Sequence, residues 1–269
     1  MISEMLSYDF IQRAFLGGVL VSLCAALLGV SLVLKRYSMI GDGLSHVSFG
    51  ALSIAIARGI APLKFAIPVV IVAAFLLLRL AENGKMRSDA AIAMVSASSL
   101  AIGVIVTSLT TGLSTDIYSY MFGSILAMSK DDVVVSGLLS VIVIIMFVAC
   151  YHKIFAVTFD ENFSKATGVK VGMYNTLISI FTAITIVVGI KMMGAMLISS
   201  LIVFPSLTSM RIFKSFKSVT ICSAILSVVN FTIGLICSYG FSIPAGASVV
   251  VANLIMYIIF AIVAKVKTM

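Results

Sequence analysis

Two residues with chemistry to offer stand where chemistry is expensive. Asp42 and His46 lie in the stretch Met39-Ile-Gly-Asp-Gly-Leu-Ser-His-Val-Ser-Phe-Gly-Ala51, at the head of an apolar run that continues to about Ala57. Four residues apart on a helix, their side chains share one face a turn apart. An ionised Asp in a membrane-spanning helix costs ~2.5–3.5 kcal/mol on insertion scales, so such a residue faces a partner, a cavity or a substrate path. Imidazole plus carboxylate is a donor pair that divalent zinc or manganese accepts. Two plainer roles stay open at this point. Gly41-Asp42-Gly43 is good helix-start chemistry, with Asp42 as the N-cap, and His46 can hydrogen-bond a neighbouring helix.

Composition says what must position this pair. Of 269 residues, 61% are hydrophobic and 10% charged, whereas soluble domains are about half apolar and a quarter charged. The chain therefore reads as an integral membrane protein with the lipid bilayer as its solvent. A net charge of +8 points to the placement of Lys and Arg around membrane spans rather than to nucleic acid. The four cysteines sit singly in apolar runs without a CxxC pair and read as small packed hydrophobes. The first ten residues carry Glu4 and Asp9 instead of a basic segment, so no cleavable signal peptide is expected.

Apolar runs of about 20 residues place spans at 11–34, 38–57, 62–80, 89–110, 132–151, 173–191, 194–212, 218–238 and 246–264. The shorter stretch 117–129 suits a half-helix or re-entrant element, with Tyr118 and Met121 as possible path or gate residues. Nine spans with the N-terminus outside put 13 of the 18 Lys and Arg on the cytoplasmic side, Lys35, Arg36, Lys153, Lys165 and Lys217 among them. That asymmetry obeys the positive-inside rule. The region 173–212, where two spans meet with almost no loop, is the weak point. If one is not a full crossing the count is eight and the N-terminus moves inside. At ~1.5 Å per residue from Tyr37, Asp42 lies ~7 Å and His46 ~13 Å into the membrane.

The longest inter-span segment, KIFAVTFDENFSKATGVKVG over 153–172, is more polar than its flanks and reads as a solvated loop or a docking element with one short helix. His152 reads as an interfacial residue. Among the 15 methionines, Met192, Met193 and Met196 gather near the outer end of a span, where packing is the plain reading and a place on a metal path the sharper one. Asn230 and Asn253 read as inter-helix hydrogen bonds. The chain contains no Walker A, HExxH or GxSxG pattern, so nothing in it points to hydrolysis.

Six blocks in order make the chain resemble the membrane permease subunits of the ATP-binding-cassette importers for zinc, manganese and iron. They are YDFIQRAFLGGVLVS (8–22), LGVSLVLKRYSMIGDGLSHVSFG (28–50), SYMFGSILAMSKDD (119–132), FDENFSKATGVKVGMYN (159–175), KMMGAMLISSLIVFPSLTS (191–209) and IPAGASVVV (243–251). Ser164 stands where the family's FDxxxAxxxGV block usually has Ala. The resemblance implies an all-α polytopic bundle of eight or nine spans forming a single permease domain over 1–269. It further implies a homodimer in a bacterial cytoplasmic membrane, a separate cytoplasmic ATPase dimer and an extracytoplasmic metal-binding protein. On this resemblance Asp42 and His46 match the Asp-x-x-x-His implicated in metal passage. Phe159, Asp160, Glu161, Lys165 and Gly168 match the loop that docks on the ATPase. The metal would be cargo rather than a resident cofactor, and the FGSILAMSKDD and SMIGDGLSH wording is closer to the zinc branch than to manganese or iron. A proton-coupled secondary transporter or channel is the alternative class; an intramembrane enzyme built on Ser45-His46 fails because adjacent helical residues point about 100° apart.

Overall fold

A computed structural model describes residues 7–82, 88–110 and 130–268, and every regular element among them is an α-helix. In order these are α1 (Asp9–Leu34), α2 (Ile40–Ala57), α3 (Pro62–Glu82), α4 (Ser88–Leu109), α5 (Lys130–Ala149), α6 (Tyr151–Phe159), α7 (Glu161–Ala166), α8 (Val171–Met193), α9 (Ala195–Ile212), α10 (Phe216–Phe241) and α11 (Ala245–Thr268). Apolar runs of this length leave the backbone no water to bond, and the helix satisfies every N–H and C=O within the run itself.

All nine expected spans fall on helices, and among the described residues seven of these helices are long and apolar enough to cross a membrane, or eight if the bent pair α5–α6 is one span. The seven are α1, α2, α4, α8, α9, α10 and α11. Helix α3 contributes a shorter apolar stretch, Lys64–Leu77, with Pro68 inside it. The span expected over 132–151 corresponds to α5 and the first residue of α6. Helix α5 stops at Ala149, and α6 leaves it at a 71° bend. The reason is local: Ile154 and Val157 are buried while His152 and Lys153 are exposed, the pattern of a helix lying along an interface instead of crossing it. The expected half-helix over 117–129, with Tyr118 and Met121, lies outside the described residues.

Helices α1 and α2 form the centre, with 72% of their apolar windows buried against 17% for α4 and α11. The last two therefore show most of their Val and Ile side chains to lipid. Helix α1 packs against α5, α8, α9 and α10, whereas α2 packs against α3, α4, α8 and α9. Helices α8 and α9 are joined by Gly194 alone, at φ 88° and ψ 161°. That backbone region is open essentially to glycine only, and it lets two long apolar helices follow one another without a loop. Polar side chains act as glue in between. Asn230 donates to Asn253 Oδ1 at 2.7 Å, and Ser227 donates to the Ser22 carbonyl at 2.8 Å, as expected for the two asparagines. All four cysteines are free.

Helix ends rich in Lys and Arg collect at one end of the bundle. Val30 of α1, Tyr151 of α6, Met210 of α9 and Phe216 and Val219 of α10 form a small core there, beside Lys35, Arg211, Lys214 and Lys217.

Candidate functional site

Helix α2 begins at Ile40, and its N-cap position is Met39, with no side-chain cap. Asp42 is thus a first-turn residue and not the N-cap, which removes the plainest alternative for it. Nearly the whole helix is covered: Gly41, Gly43, Leu44, Ser45, Val47, Ser48 and Phe49 are all buried. Small residues permit this. A Cβ at Gly41 would sit 3.1 Å from Ile202 of α9, and one at Gly50 would meet the Ser99 carbonyl of α4 at 2.8 Å. Ser45 donates to the Gly41 carbonyl at 2.7 Å and lies 3.3 Å from Ser199 Oγ on α9.

What this packing leaves uncovered is the strip that bears the two polar residues. The Asp42 side chain is 51% exposed and that of His46 22%. Their Oδ2 and Nε2 atoms lie 3.7 Å apart, beyond hydrogen-bonding range but close to the ~3.4 Å expected between two donors held ~2.1 Å from one tetrahedral ion. Among the described residues no group of three or more His, Cys, Asp or Glu side chains comes together, so this pair is two donors and no more. Met192 and Met193 are buried in the core, as packing predicted, while Met196 is exposed on α9 one turn before Ser199.

The 153–172 segment is not one loop. Helices α6 and α7 occupy it, and the FDENFSKATGV residues explain α7 one by one. Asp160 is its N-cap, its carboxylate accepting from the Phe163 N–H at 2.9 Å. Ser164 is fully buried beneath it, where only a small residue fits. Gly168 takes φ +80°, and the Gly168 and Val169 N–H groups return to the Lys165 and Ser164 carbonyls at 3.1 and 2.9 Å. That is the paired C-terminal closure that calls for glycine.

Glu161 faces inward. Its Oε1 receives hydrogen bonds from Lys35 Nζ at 2.8 Å and from Asn175 Nδ2 at 3.2 Å, and Lys35 also reaches Asn175 Oδ1 at 2.6 Å. The triad joins α7 to the end of α1 and the start of α8. Partial burial works to raise the Glu161 pKa, but the Lys35 hydrogen bond and charge outweigh it, helped by Asn175 and Lys165, and hold the carboxyl below its ordinary range. Phe159, Phe163 and Lys165 point outward, and Phe155 and Phe159 stack 5.0 Å apart beside Phe216. Lys35, Asn175 and Ser199 were not singled out from the sequence. Lys35 entered there as a topology charge and as part of the 28–50 block, and no short-range pattern ties it to a residue 126 positions away.

These features define a polytopic membrane permease with a polar pair on a central helix and a capped helix at its basic end. The model of the ABC 3 transport family matches residues 7–264, and the chain belongs to that family. The zinc uptake membrane protein ZnuB of Buchnera aphidicola is 30% identical, over 91% of this chain and 94% of its own length. The manganese import permease ScaB of Streptococcus gordonii is 26% identical, over 94% of this chain and 90% of its own. The solved structure of PsaBC from Streptococcus pneumoniae in complex with Fab superposes with a TM-score of 0.86 at 26% identity, covering 97% of this chain and 95% of that one. The protein is a membrane permease of ABC-type metal transport.

Proposed function

We propose that this chain is the permease subunit of an importer that moves a divalent transition metal into a bacterial cell, working as a homodimer on a separate ATPase dimer and supplied by an extracytoplasmic metal-binding protein. The carrying observation is the Asp42–His46 pair on the one uncovered strip of an otherwise buried central helix. A carboxylate beside lipid would be costly; beside a second copy across a shared path it is useful. One chain supplies two donors, and two copies supply two carboxylates and two imidazoles. Zinc favours four such ligands in a tetrahedron, which supports zinc as the cargo. The kinship to a manganese permease supports a second reading, in which further oxygen donors or water complete a larger shell. We assign the exposed Met196 to the same path; Tyr118 and Met121, outside the described residues, stay path or gate candidates on the sequence alone.

The positive-inside rule sets the basic end in the cytoplasm, so α7 meets the ATPase there. Phe159, Phe163 and Lys165 are the outward groups that dock. Asp160, Glu161 and Gly168 hold the helix in shape for them. The test is uptake into proteoliposomes containing the purified chain, with and without its ATPase and ATP, with zinc, manganese and ferrous iron in competition. Zinc accumulation only with the full assembly supports the reading. Uptake by this chain alone under a pH gradient overturns it in favour of a secondary transporter.

A further inference from the structure

A second site stands well away from the Asp42–His46 strip. Between the α5–α6 bend and the start of α10 opens a cleft of about 490 Å³, floored by Leu27 of α1 and walled by Phe147, Val148, Ile221 and Ile225. Its volume is in the range of small-molecule sites. It shares no residue with the Asp42–His46 strip, and its wall helices α5, α6 and α10 all pack on α1.

The cleft is apolar along its length and cationic at one end. Lys217 and His152 line that end, at the basic face of the bundle where membrane and water meet. Lys217 is exposed in the first turn of α10, a turn that contains no acidic residue. A cation there sits against the positive end of the helix dipole, and among the described residues no carboxylate pairs with it. Past the bend at Cys150, α6 lays Tyr151, Phe155 and Phe159 against Phe216 at the start of α10, which brings His152 and Lys217 together on the lining of the apolar cleft.

We propose that this cleft binds an anionic phospholipid of the cytoplasmic leaflet, one acyl chain against Phe147, Val148, Ile221 and Ile225 and the phosphate beside Lys217 and His152. Charge complementarity selects this occupant. A zwitterionic lipid brings the same phosphate but neutralises it with its own cation, and an apolar helix of another protein brings no anion to Lys217. Anionic headgroups are attracted by about 1 kcal/mol per basic residue near the surface, which corresponds to about a fivefold change in affinity.

The test is native mass spectrometry of the full-length purified chain, titrated with phosphatidylglycerol and with phosphatidylcholine of identical acyl chains. Wild type should retain phosphatidylglycerol several-fold more tightly. Lys217→Ala, an exposed change that spares the fold, should lower that preference about fivefold, and adding His152→Ala should remove most of what remains. Ala224→Phe, which fills the cleft, should weaken both lipids. Lys64→Ala, at an exposed site on another helix, should change neither. Equal retention of the two lipids by wild type overturns the proposal, as does an undiminished preference in Lys217→Ala, or the cleft being covered by a second copy in a dimer that excludes lipid.

Discussion

The start of α2 and the helix α7 carry two of the chain's most recognisable sequence blocks, and they treat their polar residues in opposite ways. In α7 the three groups that define the helix are committed: Asp160 caps it, Glu161 is clamped by Lys35 and Asn175, and Gly168 closes the C-terminus. In α2 the packing residues are committed and the polar pair is left over, with the Asp42 and His46 side chains 3.7 Å apart and part-exposed. Groups that hold a shape must be satisfied, because an unpaired buried polar group costs more than a made hydrogen bond returns. Groups that pass an ion must stay available. On the proposed function the difference separates residues that position from residues that would meet the cargo, and it can be broken one substitution at a time.

The largest effect belongs to α2. Asp42→Asn and His46→Ala should each reduce ATP-driven metal uptake to background while the assembled transporter still runs at its normal size in detergent. Metal affinity should fall by more than the ~10–100-fold typical of outer partners. Normal uptake in either variant would show that the strip faces something other than the path.

Next comes the clamp. Lys35 is only 8% exposed while Glu161 is 39% exposed. Removing one partner of a fully buried pair costs ~3–5 kcal/mol. Solvent screening at Glu161, and the bond Lys35 keeps to Asn175, bring the expected cost of Glu161→Ala to ~1–2 kcal/mol. Thermal unfolding should register it. The more telling reading is coupling, with more ATP hydrolysed per ion delivered and partial recovery in the Lys35→Glu/Glu161→Lys exchange. If Glu161→Ala leaves coupling intact, the clamp is local stability alone.

Gly168→Ala should cost about 1 kcal/mol by forcing a Cβ into the left-handed region, seen as faster proteolysis around α7. Gly172→Ala, where an added Cβ meets nothing within 4 Å, should be neutral.

The sequence made the helical class, the nine apolar segments and the family legible, because apolar length and ordered motifs are properties of contiguous residues. It also placed Asp42 and His46 together, since an i,i+4 pair on one helix face is a local relation. It did not show which side of α2 would be covered, because that depends on Ile202 and Ser99, on helices far along the chain. The bend at Cys150 was read as a straight span end, since the apolar run continues through it and only the exposure of His152 and Lys153 gives the turn away. Glu161 was read as a docking residue, and the sequence did not show that its carboxylate bonds Lys35. An ion pair between residues so far apart leaves no periodic trace.

The smallest predicted effect is one of pH, and it sharpens the contrast at α7. With its pKa held below the ordinary carboxylate range by Lys35, Glu161 adds stability that is fully present above the unfolded value of ~4.3 and lost as pH falls through the folded one. Hydrogen exchange at the α7 amides should therefore be slow at neutral and mildly acidic pH. Only below about pH 4.3 should it quicken beyond the intrinsic trend. Glu161→Gln should remove that step, because the amide can still bond Lys35 and Asn175 but carries no charge to lose. A step that survives in Glu161→Gln would show that the clamp to Lys35 is not what anchors α7 against acid.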